Sequence, residues 1–210
     1  MNDPYMPLES ERRVTRQALE VIASFHFPVH IITKSARVLR DLDLLEQIAQ
    51  VYAAVSVTIT CASDDLGKKI EPGASLVSER LKAIQELTQH GVVSGVTLMP
   101  VLPWITDDSE NILQIVRLAH AAGARYILAS FGVTLRDRQR AYYYEQLERL
   151  FPGLRRQYER QFGGQYFAPA RNAKGLEETF QAECARLGIA TRMPFYAGEQ
   201  ARQPNLFDML

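Results

Sequence analysis

The chain has 210 residues, and its 24 Lys and Arg residues balance its 24 Asp and Glu residues, giving a formal net charge of zero. This balance supports neither a general nucleic-acid surface nor an anionic-membrane surface, so any polyanion contact is local. No run of about 20 apolar residues occurs and Met1–Tyr5 has no signal-peptide pattern, which predicts a cytoplasmic protein without a membrane partner. Two cysteines, Cys61 and Cys184, are too few for a disulfide framework or a four-ligand metal site.

Helices and short strands rich in Val, Ile and Thr alternate along the chain. The apolar spacing predicts, in chain order, helices at about 10–25, 38–51 and 76–89 and strands at 29–33, 55–60, 92–99 and 126–131. Such alternation is typical of parallel strands joined by crossover helices, so the predicted class is α/β. A complete eight-fold barrel typically takes about 250 residues, and the length fits an incomplete barrel as well as a whole one.

Beyond Thr134 the composition changes to segments rich in arginine and tyrosine. We therefore predict two parts: a partial barrel over residues 1–134, and a helical extension over residues 135–210 with one further strand at 189–193 and a tail. The run Tyr142–Tyr144 could stack on nucleic-acid bases. Because three successive residues of a helix face different directions, at least one of these tyrosines must pack inward.

Polar residues follow the predicted strands at the end where parallel α/β sheets bind ligands. The ammonium of Lys34 can hold a carboxylate or phosphate, form a Schiff base when desolvated, or simply belong to a surface ion pair. Thr58 alternates with Ser56 and Thr60, so their hydroxyls face one side of the strand. There they line a polar cavity or are ordinary β-branched strand residues.

Two further segments carry candidate side chains. Glu71 precedes the helix that bears Arg80; the carboxylate can hold a ligand amine and the guanidinium can clamp a carboxylate, or both belong to an ordinary capped helix. Met99 and Pro100 begin a segment that holds two prolines and the only tryptophan, Trp104. This segment forms either a rigid apolar wall for an aromatic ring or a stiff loop against the core. Motifs of hydrolases and nucleotidases are absent from the sequence.

Five blocks, in order over about the first 105 residues, resemble the radical S-adenosylmethionine (SAM) proteins of the spore photoproduct lyase-like group. The blocks are Asn2–Glu9, Ile32–Ser35, Val55–Thr60, Glu71–Gly73 with Glu79–Leu81, and Met99–Pro103. The resemblance implies an incomplete TIM-like (β/α) barrel, SAM and a [4Fe-4S] cluster as cofactors, and reductive cleavage of SAM to a 5′-deoxyadenosyl radical.

The same resemblance suggests which residues bind the cofactor. It implies that Asn2, Lys34 and Thr58 contact SAM and that Met99 and Pro100 lie near its adenine. Glu71 and Arg80 match a family motif, and we include them in the predicted cofactor-binding set. The catalytic residues are not identified by the resemblance.

The cluster of that family is bound by a Cys-x-x-x-Cys-x-x-Cys loop after the first strand, and Cys61 and Cys184 occupy none of its positions. We therefore expect no metal site in this chain. We interpret it as the C-terminal two-thirds of a radical SAM enzyme, catalytically incomplete, with a degenerate remnant as the alternative. The partner is then a missing N-terminal segment or a second copy, and nucleic acid is a substrate only by loose analogy.

Two other functions stay open at this point. One is a Schiff-base lyase of aldolase type that uses Lys34, which would need a nearby general acid. The other is a non-catalytic interaction or nucleic-acid-binding module that uses the Arg- and Tyr-rich extension. A Cys-x-x-x-Cys-x-x-Cys motif encoded immediately upstream would favour the radical SAM interpretation over both.

Overall fold

A computed structural model describes residues 3–198, so Asn2 and the predicted tail from residue 203 lie outside the described residues. The strands of this part are β1 (Val29–Thr33), β2 (Ala53–Thr58), β3 (Val93–Leu98), β4 (Tyr126–Ala129), β5 (Gly132–Thr134) and β6 (Phe167–Pro169). The α-helices are α1 (Glu9–Arg12), α2 (Val14–Ser24), α3 (Leu42–Ala49), α4 (Asp64–Ile70), α5 (Val77–Gln89), α6 (Ser109–Ala121), α7 (Asp137–Leu150), α8 (Leu154–Phe162) and α9 (Ala173–Leu187). A 3₁₀ helix, Ala36–Asp41, precedes α3.

The first four strands form one parallel sheet in the order β1-β2-β3-β4. A parallel bridge between Tyr126 and Ala190 extends the β4 edge. At the other edge, no residue of the range 3–198 pairs with β1 opposite β2, so the described sheet is not a closed barrel. The prediction of an α/β chain with a partial barrel and a helical extension is confirmed.

The sheet holds the helices on one face and leaves a concave face opposite. Val55 and Val57 of β2 and Val96 of β3 are buried in the main hydrophobic cluster, which also contains Ile84 of α5 and Ile115 of α6. Every residue of β2 is buried. Ala53, Val55 and Val57 of β2 face the helices, and Ser56 and Thr58 alternate with them onto the concave face.

The N-terminal helix predicted at 10–25 is divided into α1 and α2. Arg13 lies between them in the left-handed conformation, with φ of 51°. The Glu9 carboxylate accepts a hydrogen bond from the Thr15 backbone N–H at 2.8 Å, which satisfies a free donor at the start of α2. The periodic apolar pattern continues across this break and therefore did not reveal it.

The chain from β5 to β6 has a hydrophobic cluster of its own. β5 and β6 pair antiparallel, and α7 and α8 between them contribute Tyr144, Leu147, Tyr158 and Phe162 to that cluster. Trp104 packs against it, with its ring centroid 5.2 Å from that of Tyr158. The Met99–Trp104 segment therefore carries its tryptophan into a packed core. After β6, α9 returns to the sheet, where Arg117 of α6 donates to Glu183 of α9 at 2.7 Å.

Candidate functional site

An ion-pair chain lies at the carboxyl ends of β1 and β2. Lys34, directly after β1, places Nζ 3.1 Å from Oε1 of Glu71. Arg80 of α5 donates from Nη1 to the other carboxylate oxygen, Oε2, at 2.8 Å. Three residues that are far apart in the sequence therefore form one charged group at the end of the sheet.

Arg80 is buried although it carries a guanidinium, with its side chain 1% exposed. Its Nε donates to the Ser75 carbonyl and its Nη1 to the Thr58 carbonyl, both at 2.8 Å. Arg80 thus joins the end of β2, the loop before α5 and the Glu71 carboxylate. In this structure it positions Glu71, while Lys34, 41% exposed, keeps its ammonium accessible.

Asp3 fastens the N-terminal segment across the end of β1. Its carboxylate accepts hydrogen bonds from the Thr33 hydroxyl at 2.6 Å, the Lys34 backbone N–H at 2.7 Å and the Tyr5 backbone N–H at 2.8 Å. Asp3 was not among the predicted site residues. One of these contacts has a local signal in the sequence, because an Asp side chain often accepts a hydrogen bond from the backbone N–H two residues later, as in an Asx turn. The contacts at the end of β1 have no such signal.

A cavity of about 350 Å³ opens beside these groups. Asp3 and Met6 of the N-terminal segment, Lys34, and the Glu71–Gly73 loop contribute to its walls. The lining combines the Lys34 ammonium and the carboxylates of Asp3 and Glu71 with apolar side chains such as Met6. It can therefore bind a small molecule that carries both charges.

Hydroxyl groups line the concave face of the sheet. Thr58 of β2 and Thr97 of β3 share a hydrogen bond of 2.7 Å between their Oγ1 atoms. Closer to the amino ends of the strands, Ser56 lies between His30 Nε2 at 2.8 Å and the Tyr126 hydroxyl at 2.6 Å. Burial raises the pKa of Tyr126 to about 12, more than the bond from Ser56 lowers it. Thr58 and Thr97 are both buried.

Gly95 of β3 makes room for the aromatic ring on the concave face. A Cβ atom at Gly95 would lie 2.5 Å from the Tyr126 ring. Because real Cβ atoms do not approach a ring so closely, the Tyr126 ring can lie over β3 only where position 95 has no side chain. Met99 and Pro100 follow the end of β3, and Met99 is 36% exposed there. An ion pair and two hydrogen bonds join the predicted residues Lys34, Glu71, Arg80 and Thr58. Met99 and Pro100 lie at the end of the adjacent strand β3.

The cysteines do not form a cluster site. Cys61 follows the end of β2 and Cys184 lies in α9, and both are buried. Burial raises the pKa of the Cys184 thiol to about 11 and also raises that of Cys61. Within residues 3–198, no three His, Cys, Asp or Glu side chains are grouped to hold a metal ion. The described residues therefore do not fit an iron–sulfur cluster, which needs several thiolates.

No protein-family model matches the chain. An uncharacterized protein of Mycobacterium tuberculosis is 30% identical over 170 residues, 80% of this chain and 50% of that protein. A protein of Pseudomonas phage M6 named radical SAM Nalpha-GlyT isomerase is 27% identical over 131 residues, 61% of this chain and 26% of that protein. The chain spans about half the length, or less, of these relatives.

Solved structures show the same fold. A mutant of spore photoproduct lyase with bound AdoMet and dinucleoside spore photoproduct matches with a TM-score of 0.60 at 17% identity, covering 89% of this chain and 57% of that one. The radical SAM methyltransferase TsrM from Kitasatospora setae matches with a TM-score of 0.56 at 14% identity, covering 84% of this chain and 41% of that one. The chain has the fold of radical SAM enzymes. Its resemblance to the spore photoproduct lyase-like group, inferred from five sequence blocks, is confirmed.

In the part of the chain that the structure describes, none of the helices is long and apolar enough to cross a membrane.

Proposed function

We propose that this chain forms the SAM-binding part of a radical SAM enzyme, at the strand-end site around Lys34 and Glu71. The observation that carries the proposal is the Lys34–Glu71 ion pair, 3.1 Å long, on the wall of the 350 Å³ cavity. The methionine end of SAM carries one ammonium and one carboxylate. An accessible lysine beside a carboxylate is complementary to that pair of charges.

The roles of the chain's residues follow from their contacts. Lys34 binds the carboxylate of the ligand, Glu71 binds its ammonium, and Arg80 keeps Glu71 in place when Lys34 turns to the ligand. Thr58 supports this end of the sheet through Thr97, and Met99 and Pro100 supply the apolar side for the adenine. When bound and reduced, SAM supplies a 5′-deoxyadenosyl radical. The described residues do not fit the iron–sulfur cluster that would supply the electron, so we propose that residues outside this chain bind it.

The residues also bear on the two other functions. Schiff-base lysines are desolvated, whereas Lys34 is 41% exposed and ion-paired. In the extension, Arg140 Nη2 donates to the carbonyls of Leu135, Gly164 and Gln165, and Tyr144 is buried, so these side chains serve the extension's own packing. Neither arrangement favours a lyase or a nucleic-acid module. Spore photoproduct lyase, which shares the fold, is seen with a dinucleoside spore photoproduct. On that ground we propose that the substrate of the complete enzyme is related to nucleic acid.

The test is calorimetric titration of SAM into a protein that joins this chain to a cluster-bearing N-terminal segment. Lys34→Ala removes a charge-assisted contact worth roughly 1.5 to 3 kcal/mol, so binding should weaken about ten- to a hundredfold. Lys82→Ala, an exposed lysine on α5, is the control and should change little. Equal affinity of the parent and Lys34→Ala would refute the assignment. Borohydride trapping of an imine at Lys34 would instead establish the lyase alternative.

A further inference from the structure

A second cavity, of about 190 Å³, lies between α7 and two loops of the barrel part. We name it the α7 pocket. Leu102 and Ile105 from the segment after β3 form one wall. Ile70 at the end of α4 and Pro72 in the loop after it form another. Six residues of α7 and the residue that follows it complete the lining: Tyr142, Tyr143, Gln146, Leu147, Arg149, Leu150 and Phe151. None of the proposed roles in SAM binding uses this pocket.

The walls of the α7 pocket combine aromatic faces with positive charge. Tyr142, Tyr143 and Phe151 supply the rings, and Lys69 Nζ lies 4.1 Å from the centroid of the Phe151 ring. Arg149 also lines the cavity, with its guanidinium donating to Gln146 Oε1 at 2.6 and 3.0 Å. No lining residue is acidic. Rings and cations without a carboxylate favour a ligand that is both aromatic and anionic.

The pocket is partly preformed and open to solvent. Its rear wall is fixed because the Tyr143 hydroxyl donates to that of Tyr158 at 3.0 Å, and the Tyr158 hydroxyl donates to the Pro103 carbonyl at 3.0 Å. Tyr142, in contrast, is 67% exposed at the mouth. A rigid apolar floor with a few polar groups at its mouth is typical of small-molecule sites.

We propose that the α7 pocket binds a planar aromatic anion of one or two fused rings. A cavity of about 150 Å³ lined by apolar side chains accepts benzene, so 190 Å³ suits a ring system of this size. The pocket shares Ile70 and Pro72 with the strand-end cavity, which makes the two cavities neighbours. On the proposed function, from which this last step follows, the α7 pocket holds the ring of the substrate beside the SAM site.

The experiment uses the full chain and indole-3-acetate as the probe, titrated by calorimetry with indole-3-acetamide as the neutral counterpart and hexanoate as the non-aromatic anion. For about 13 non-hydrogen atoms, a Kd near 1 mM or tighter is expected for indole-3-acetate. Leu150→Trp fills the pocket and should abolish binding, whereas Leu118→Trp on the exposed face of α6 should not. Lys69→Met should weaken indole-3-acetate about two- to fivefold and leave indole-3-acetamide unchanged.

Absence of binding to the parent, or binding that persists in folded Leu150→Trp, overturns the site. Equal binding of hexanoate overturns the aromatic part, and equal loss of both indoles in Lys69→Met overturns the anionic part. If Leu150→Trp does not fold, Ile105→Phe with the same titrations replaces it. Because SAM binding is tested separately through Lys34, failure of the SAM site leaves these results intact, and the reverse also holds.

Discussion

Arg80 and Glu71 form an ion pair of 2.8 Å at the end of the sheet, and the arginine side chain is almost completely removed from solvent. Burying a guanidinium is costly unless its donors are satisfied, and here they bind two backbone carbonyls as well as the carboxylate. The pair therefore joins three chain segments and sets the position of the carboxylate beside Lys34.

Replacing this arginine should be strongly destabilising. Arg80→Met leaves Glu71 without its buried partner and the Thr58 carbonyl without its donor, so the free energy of unfolding should fall by about 3 to 5 kcal/mol in urea titrations. Arg80→Lys keeps the charge but loses the fork of donors, so it should lose less. Arg138→Met, an exposed arginine of α7, is the matched control. Similar losses for Arg80→Met and Arg138→Met would contradict the buried-pair account.

Iron and sulfide should not assemble a cluster on this chain. Anaerobic reconstitution is expected to give no stoichiometric [4Fe-4S] absorption, because the sequence holds two cysteines and both lie buried in different elements. The Cys61→Ser and Cys184→Ser variants should behave as the parent does in the same assay. A full cluster per chain, with its paramagnetic signal on reduction, would show that the ligand argument is wrong.

The free edge of β1 should promote association. Within residues 3–198 this edge has no strand partner, and Ile32 of β1 is 48% exposed. Unpaired edges and exposed apolar side chains favour intermolecular pairing, and an inward-facing charge opposes it. Sedimentation velocity over a concentration series should show self-association that Ile32→Lys reduces and that Leu118→Lys, on α6, does not. A monodisperse parent monomer would refute this expectation.

Much of the fold could be predicted from local patterns. The spacing predicted β1 at 29–33 and a helix at 76–89, and the structure has Val29–Thr33 and Val77–Gln89. These elements carry their own signals, in alternation or in helical periodicity. The strand predicted at 189–193 is reduced to the bridge at Ala190, because only that residue comes beside Tyr126 in the described part.

The site was accessible only in part. Position after a strand picked out Lys34 and Thr58, and the structure places both at the sheet end; their binding roles remain predictions. The burial of Arg80 and the hydrogen bonds that Asp3 accepts at the end of β1 could not be predicted, since both depend on partners in other segments. Arg80 contacts a carbonyl 22 positions away, and Asp3 contacts a backbone N–H 31 positions away. Such contacts exist only after the sheet and its loops have assembled.

An ion pair between Arg117 and Glu183 joins α6 to α9. Arg186 of α9 and Arg117 of α6 each donate to the Glu183 carboxylate at 2.7 Å, and these hydrogen bonds lower the pKa of Glu183 to about 2. A carboxyl whose pKa is lower in the folded state than in the unfolded state stabilises the fold above its unfolded pKa, near 4.5. That contribution is lost as the pH falls from about 4.5 towards about 2.

The measurement is the difference in Tm between the parent and Glu183→Gln as a function of pH. The parent should melt higher at pH 7, and the difference should shrink steadily below pH 4.5 as Glu183 is protonated in the unfolded and then the folded state. Glu178→Gln, an exposed residue of the same helix, should show no comparable pH-dependent difference. A Tm difference for Glu183→Gln that stays constant from pH 7 to pH 2 would mean that Glu183 stabilises α9 by packing rather than by its charge.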